Sequence, residues 1–214
     1  MTRRFAVGHG YKEQWAAVVV ARPLLVPRGS APAGGLFSTA RDQIRYARFR
    51  LGQAPAEGGT PVLARETLDR MQAPTISMPG GGLGNWVGIS WMLRDIDGVR
   101  VAAHDGSTNG QQSALEMIPE RDFAVTVLTN AATSLQVNRE LLNWAKETYL
   151  GLAEKEPPTL ALDETAPRPF IGGYSSDTNI VDISPSGDGG PTLKLAYTPA
   201  ALEMLRVMPP RCSR

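Results

Sequence analysis

Apolar positions in this chain fall into two periods, one of sheet and one of helix, and they sort the sequence into elements. Residues 99–103 (Val-Arg-Val-Ala-Ala) and 111–118 read as strands, and Phe123-Ala124-Val125-Thr126-Val127-Leu128-Thr129-Asn130 continues the series. Val87 to Leu93 reads as a further strand, which Asp95 to Gly98 turns into the one ending at His104. Pro119-Glu120-Arg121-Asp122 makes the next turn. Three to four antiparallel strands therefore lie side by side. Helical spacing is carried by Ala40, Ile44, Ala47 and Leu51, which predict a helix over 39–51. Thr39 and Asp42 form its capping box and Gly52 stops it. Val137, Leu141, Trp144, Ala145 and Thr148 predict a second helix over 135–152, capped by Thr133 or Ser134. A short helix spans 64–71. Helices packed on an antiparallel sheet make an α+β layer structure.

The flanks are less regular. Residues 5–21 read as β structure with a break near Gly8-His9-Gly10, and 22–35 reads as a loop. Residues 72–85 are rich in Pro and Gly, but they lack the Gly-Lys-Ser/Thr ending and preceding strand of a phosphate loop. Glu154 to Pro169 holds four prolines and several acids and reads as a linker. Beyond it, Ile171 to Ser176 and Leu193 to Tyr197 look like short strands around a turn-rich stretch at 184–190. Met208 to Arg214 does not read as a finished strand. The expected organisation is a domain over 1–152, a linker over 153–169 and the start of a small β domain, incomplete, over 170–214.

Composition narrows the class. A hydrophobic share of 42% supports a real core, and a net charge of +1 gives no case for nucleic acid. Arg41, Arg45 and Arg48 line one helix face, which reads as solvated, with no aromatic residues interleaved. The single Cys212 excludes an internal disulfide and a multi-cysteine metal site. No apolar run approaches the ~18 residues of a membrane span. Met1-Thr2-Arg3-Arg4 is basic, but His9, Lys12 and Glu13 interrupt the residues after it, so no signal peptide is visible and the compartment stays open.

The densest chemistry is His104-Asp105-Gly106 followed by Ser107-Thr108-Asn109-Gly110. A histidine at a strand end, then small residues, suits the wall of a ligand cleft. Glycine admits a ligand close to the main chain, and N–H groups there can hold an oxyanion. The plainer readings are a hydrogen-bonded structural His104 and an Asn109 that simply turns the chain. Adjacent strand residues point to opposite faces, so Asp105 is expected to face away from His104. His9 is the other histidine, and no His-Glu-x-x-His or similar spacing occurs, so no metal and no cofactor are expected. Ser107 and Ser113 lack a Gly-x-Ser-x-Gly elbow and are not read as nucleophiles.

Three stretches resemble the serine β-lactamase and penicillin-binding-protein-like hydrolases, which include class C β-lactamase-related esterases and D-aminopeptidases. Ala33-Gly34-Gly35-Leu36-Phe37-Ser38-Thr39-Ala40-Arg41-Asp42 resembles the loop that opens a long helix there. Residues 101–110 resemble the third active-site motif, a Lys/His-x-Gly element on an edge of the catalytic sheet, and 118–130 resemble the hairpin beyond it. The resemblance implies a partial β-lactamase-like fold over 1–152, succeeded by the opening of a small β-barrel domain. It implies that His104 is the motif's cationic or hydrogen-bonding residue, orienting the catalytic hydroxyls or the substrate carboxylate. Gly106 would keep the edge open, the Ser107 N–H would be one of two oxyanion donors, and Asn109 would bind substrate amide groups. The implied activity is ester, amide or lactam hydrolysis through an acyl-serine, on a small-molecule or peptide substrate.

Those enzymes pair a nucleophilic serine with a lysine one helical turn on. No Ser-x-x-Lys occurs here, and Ser38-Thr39-Ala40-Arg41 ends in an arginine, which stays protonated and cannot act as a base. Tyr-x-Asn, the second motif, is also absent. The family places both motifs before the region matched, so the chain looks like the C-terminal part of such a hydrolase. No turnover by the chain alone is expected, and whether it is an enzyme stays open. Two other readings stand beside this one: a non-catalytic binding protein that keeps the cleft for peptide or cell-wall fragments, and a two-chain enzyme whose partner brings the Ser-x-x-Lys helix.

Overall fold

A computed structural model of the chain describes residues 5–12, 17–22, 26–53, 62–78, 84–155, 168–186 and 190–207. It divides into two units, one ending at Glu154 and one starting at Lys155. In the first, β1 (His9–Lys12) and β2 (Ala17–Val20) pair as an antiparallel ribbon. Three helices come next: α1 (Ala31–Gly34), α2 (Ala40–Arg50) and α3 (Arg65–Met71). Six strands then make one antiparallel sheet in chain order. They are β3 (Ile76–Ser77), β4 (Trp86–Val87), β5 (Met92–Ile96), β6 (Val99–Thr108), β7 (Gln111–Ile118) and β8 (Phe123–Thr129). α4 (Leu135–Leu150) ends the unit. The second unit holds β9 (Gly172–Ser175), β10 (Asn179–Pro185) and β11 (Pro191–Tyr197) as a three-stranded antiparallel sheet, then α5 (Pro199–Val207). The fold class is α+β, as the apolar pattern predicts.

The sheet is a meander because its turns are tight. Asp97 and Gly98 take φ values of 48° and 83°, the pair of left-handed residues that a two-residue type I′ hairpin needs. β5 and β6 therefore pair from Ile96↔Val99 to Met92↔Ala103, and Asn109-Gly110 returns the chain so that Thr108 faces Gln111. Alternate residues then bury on opposite faces. Leu93, Ala102, Leu115 and Met117 pack with Ala47 of α2 and Leu51 just beyond it, and Trp91 joins them. Val99, Val101, Ala103 and Ile118 pack on the other face with Leu152, just beyond α4. Two helical layers thus sandwich one sheet.

α2 starts where expected. Thr39 is extended, its hydroxyl accepts the Asp42 N–H at 3.2 Å, and it donates to the Asp42 carboxylate at 2.8 Å. That hydrogen bond, helped by Arg45, holds the exposed Asp42 carboxyl below its ordinary range. Near its far end, Arg50 is 2% exposed and lies with its guanidinium 5.3 Å above the Trp91 ring.

α4 is rotated from the expectation. Its buried residues are Asn138, Leu142, Ala145 and Lys146, whereas Val137, Leu141 and Trp144 are 50%, 44% and 56% exposed. The apolar stripe misleads because the buried side is partly polar and held by specific partners. Thr129 donates to Asn138 Oδ1 at 3.0 Å, and Lys146 enters a quartet of charges in which Lys146 and Glu116 are buried and Arg94 and Glu154 partly so. Lys146 Nζ lies 2.8 Å from Glu116 Oε2 and 2.5 Å from Glu154 Oε1. Arg94 reaches Glu116 at 2.6 Å and Glu154 at 2.5 Å. Gly151 makes this possible: its left-handed φ of 68°, with its N–H on Glu147 O, ends the helix and turns Leu152 and Glu154 back onto the sheet. Burial alone would raise the Glu154 carboxyl, but the bonds from Lys146 and Arg94 outweigh it and hold the group low. Burial likewise works against the Arg94 charge, but Glu116 and Glu154 raise its affinity for the proton.

Other expectations need correction. The segment read as a loop over 22–35 contains a 3-10 turn at Arg28–Ser30 and α1, set by Pro32 in the first turn. Val87 to Leu93 is not one strand: Ser90 takes φ 65° and the Gly88 N–H bonds Trp91 O, which separates β4 from β5. His9 and Gly10 belong to β1 rather than to a break. Ser134 caps α4 in position only, since its hydroxyl goes to Ala131 O at 2.5 Å. Parts of the expected linker, loop and C-terminal segments, at 79–83, 156–167, 187–189 and 208–214, lie outside the described residues.

Lys146→Met leaves the buried Glu116 and the partly buried Glu154 with Arg94 as their remaining cation and should cost about 3 kcal/mol in urea unfolding. The low Glu154 carboxyl stabilises the fold fully above its ordinary value of 4.5, and that contribution is lost as pH falls through the lower folded value. Glu154→Gln should therefore lower stability at neutral pH and flatten the acid limb of a stability–pH curve; an unchanged limb would assign it to other groups. Gly8 is equally constrained, since a Cβ there would meet Asn109 O at 2.1 Å. Gly8→Ala should cost about 1–3 kcal/mol, read as a lower thermal midpoint.

Candidate active site

The site residues sit on the second half of β6, and hydrogen-bond parity decides what they offer. In an antiparallel pair the N–H and C=O of successive residues point alternately to the two neighbours. A two-residue type I′ turn makes its flanking residues a hydrogen-bonded pair, so Ile96 and Val99 face each other. Val99, Val101 and Ala103 then direct their main-chain groups at β5. The Asn85 N–H bonds Leu93 O at 2.8 Å, which confirms that Leu93, opposite Ala102, directs its own groups away from β6. By the same count, Asp105 and Ser107 point to the β5 side. β5 ends opposite Ala103, so among the described residues no strand pairs with Asp105 and Ser107 on that edge.

His104 is not at a strand end, as the sequence suggested; β6 runs four residues further, to Thr108. Its ring leans over the open edge, with Nδ1 2.8 Å from Asp105 O. A carbonyl only accepts, so Nδ1 carries the proton and Nε2 of the neutral ring is left as an acceptor. His104 shares the α2 face of the sheet with Gly106. A Cβ on Gly106 would stand 2.6 Å from Ser113 Oγ, so the missing side chain makes room for Ser113 across the strand. Asp105 and Ser107 are on the α4 face. Burial, then the Glu116 charge, raise the Asp105 carboxyl.

Ser107 Oγ accepts from Gln112 Nε2 at 3.0 Å, and Gln112 also reaches Ala132 O at 3.2 Å. The Ser107 hydroxyl and the His104 ring therefore sit on opposite faces and make no nucleophile–base pair. Asn109 forms the β6–β7 turn with Gly110, whose φ is 70°. The segment around Gly8 clamps this turn: the His9 N–H bonds Gly110 O at 3.1 Å, and Gln111 Nε2 bonds Ala6 O at 3.0 Å. His9 Nδ1 lies 3.2 Å from Asn130 O. Among the described residues, no three His, Cys, Asp or Glu side chains cluster as metal ligands.

Sequence reasoning missed Gln112 and the charge quartet behind Asp105. Their signal was present: in β7, Gln112 and Glu116 occupy the same alternate positions as the buried Ala114 and Ile118. Polar residues in a buried register require partners, and here they anchor β6 from behind.

The β-lactamase family model matches residues 3–150. Penicillin-binding protein 4 of Amycolatopsis lactamdurans is 30% identical over 152 residues, which cover 68% of this chain and 38% of that protein. A crystal structure of SurE superposes with a TM-score of 0.63 at 20% identity, covering 88% of this chain and 43% of that one. The octameric penicillin-binding protein homologue from Pyrococcus abyssi gives a TM-score of 0.54, also at 20% identity and with the same two coverages. The chain thus spans less than half the length of each of these proteins. A match over residues 3–150, more than half of the sequence, places this chain in the β-lactamase family.

Proposed function

We propose that this chain supplies the strand-edge wall of an acyl-transfer cleft in a serine hydrolase of the β-lactamase and penicillin-binding-protein type. The observation that carries the reading is the β6 edge beyond Ala103, which no described strand covers and toward which the register points the Ser107 N–H, with the His104 ring bonded to Asp105 O on the same strand. In such a cleft a serine hydroxyl adds to the carbonyl carbon of an ester, amide or lactam and gives up its proton to a base. The carbonyl oxygen becomes an oxyanion. The Ser107 N–H is one donor to that oxygen, and the N–H of the nucleophile itself is the other. The tetrahedral adduct collapses, the leaving group departs with a proton, and water then releases the acyl group. His104 Nε2 accepts a hydrogen bond from a catalytic hydroxyl or, once protonated, holds a substrate carboxylate. Gly106 and Asn109 border the position of the bound substrate.

No residue among these 214 fills the nucleophile's place, since Ser-x-x-Lys and Tyr-x-Asn are both missing. The nucleophile is therefore contributed by polypeptide outside this sequence, and the chain alone does not turn over. The purified chain should show no mass increase with an activated-ester or fluorophosphonate probe. Labelling of one of its own serines would overturn the reading. Fused behind a segment of a relative that carries both motifs, it should support acylation of that segment's serine. In the fusion, Ser107→Pro removes the edge N–H at a position that tolerates proline and should slow acylation by about 10²–10³. Ser107→Ala keeps the N–H and should change the rate little. Equal rates for the two variants would favour a binding protein that uses the edge only to hold peptide.

A further inference from the structure

Arg50, the last residue of α2, is a buried cation with no carboxylate paired to it among the described residues. It is 2% exposed, so the chain has already closed around it. Its Nε and Nη2 groups are sealed from solvent and have no hydrogen-bond partner, and Nη1 donates to Met71 Sδ at 3.2 Å. A thioether is a weak acceptor. The Trp91 ring, 5.3 Å from the guanidinium carbon, is the other offset to burial. Gln72 does not help: its Nε2 bonds Arg50 O at 3.2 Å, and its Oε1 is itself unbonded. A guanidinium keeps its proton at any working pH, so titration cannot relieve the charge. The cluster is short of one acceptor, and the atom placed to carry it is Met71 Sδ.

Met71 closes α3, and its main chain is held in place. The Ile89 N–H bonds Met71 O at 2.9 Å, and a Cβ on Gly88 would stand 2.5 Å from that oxygen, so the β4–β5 connection is seated on it. The Met71 side chain is half-buried, at the margin of the cluster that holds Ala47, Leu51, Trp91 and Leu93. A small oxidant therefore reaches it, as it does not reach the fully buried Met117 of the same cluster.

We infer that Met71 is a site of reversible oxidation, where a peroxide converts the thioether to a sulfoxide whose oxygen accepts from the Arg50 guanidinium. A sulfur lone pair attacks one peroxide oxygen. The S–O bond forms as the O–O bond breaks, and the departing hydroxide takes the proton of the transferred oxygen and leaves as water. Sulfur is oxidised by two electrons and the peroxide is reduced by two. Oxidation of a packed methionine ordinarily disrupts a core, because it puts a polar oxygen among apolar groups. Here the sulfur already faces a buried cation with unbonded N–H groups, so the sign reverses and the sulfoxide is the better-satisfied state. The flexible methionine stem lets the sulfur draw back as the oxygen takes the place next to Nη1. The effect is felt where β5 begins: Trp91 lies against Arg50 and leads into Met92, which pairs with Ala103. The inference rests on this cluster and not on the hydrolase reading.

The test treats the whole chain, Met71→Leu and Arg50→Leu with hydrogen peroxide at a level that oxidises a free methionine peptide. Sulfoxides are mapped by peptide mass, and thermal midpoints are read before and after. In the unaltered chain Met71 should be oxidised and the midpoint should rise by about 2–4 °C. Methionine sulfoxide reductases should return it to the starting value. Met71→Leu keeps the apolar volume without the sulfur and should show no rise, which separates Met71 from the other methionines. Arg50→Leu keeps the sulfur without the cation, so the same oxidation should lower its midpoint. If Arg50→Leu does not fold, the contrast between the unaltered chain and Met71→Leu decides alone. A Met71 left unoxidised, a midpoint that falls on its oxidation, or a rise that either variant also shows would overturn the proposal.

Discussion

A β-strand can show each main-chain N–H to only one side, and in this sheet the side is set by two residues, Asp97 and Gly98. Their left-handed backbone closes the shortest hairpin and makes Ile96 and Val99 a bonded pair. Every later assignment comes by alternation. Ala103 is the last residue of β6 with a partner in β5, and Asp105 and Ser107 are the next two of the same parity. One inserted residue before Asp105 would turn the Ser107 N–H into the β7 ladder and its side chain to the other face. The candidate site is therefore less a collection of side chains than a consequence of register, and β8 inherits the same register through β7.

The register must itself be held, and the quartet of Arg94, Glu116, Lys146 and Glu154 does so. Two cations and two anions leave it neutral, which limits the cost of burying Lys146 and Glu116 and half-burying the other two. An apolar cluster of the same volume could stabilise the layer as well. It would not fix how α4 sits. Sliding α4 by one turn, about 5.4 Å, would carry Lys146 off Glu116 and leave a carboxylate buried with Arg94 alone. The quartet thus ties β5, β7, α4 and the residues after Gly151 to one arrangement, directly behind the strand that carries His104.

Much of this layer was legible in the sequence because its signals are local. Alternation in 111–118 and 123–130, the Asp-Gly pair at 97–98 and the Thr39–Asp42 cap each need only a few neighbouring residues to be read. The rotation of α4 was not legible. Val137, Leu141 and Trp144 form the better apolar stripe, and the side that is buried instead, with Asn138 and Lys146, makes sense only once Thr129 and Glu116 are brought against it across long stretches of chain. The sequence offers His104, Gly106, Ser107 and Asn109 as a candidate set of residue types. Which of them face the open edge, and through side chain or backbone, is not readable there, because that depends on where β5 stops. The Ser107 hydroxyl, conspicuous in the sequence, is tied to Gln112, and it is the Ser107 N–H that lies on the open edge.

That distinction explains why a strand edge alone makes an incomplete catalyst. Successive N–H groups on one side of a strand belong to residues two apart, about 6.8 Å along the chain. An oxyanion requires donors roughly 2.7–3.1 Å away and well aligned, so the N–H groups of Asp105 and Ser107 cannot converge on one oxygen. A second donor must come from another segment that approaches the edge from the side where β5 is missing. The nucleophile must come from the same side, since the carbonyl carbon it attacks is bonded to the oxygen being held. One segment that carries both the nucleophile and its own N–H meets both requirements. On the proposed reading, the β6 edge beyond Ala103, which no described strand covers, is the side from which a nucleophile-bearing segment would approach.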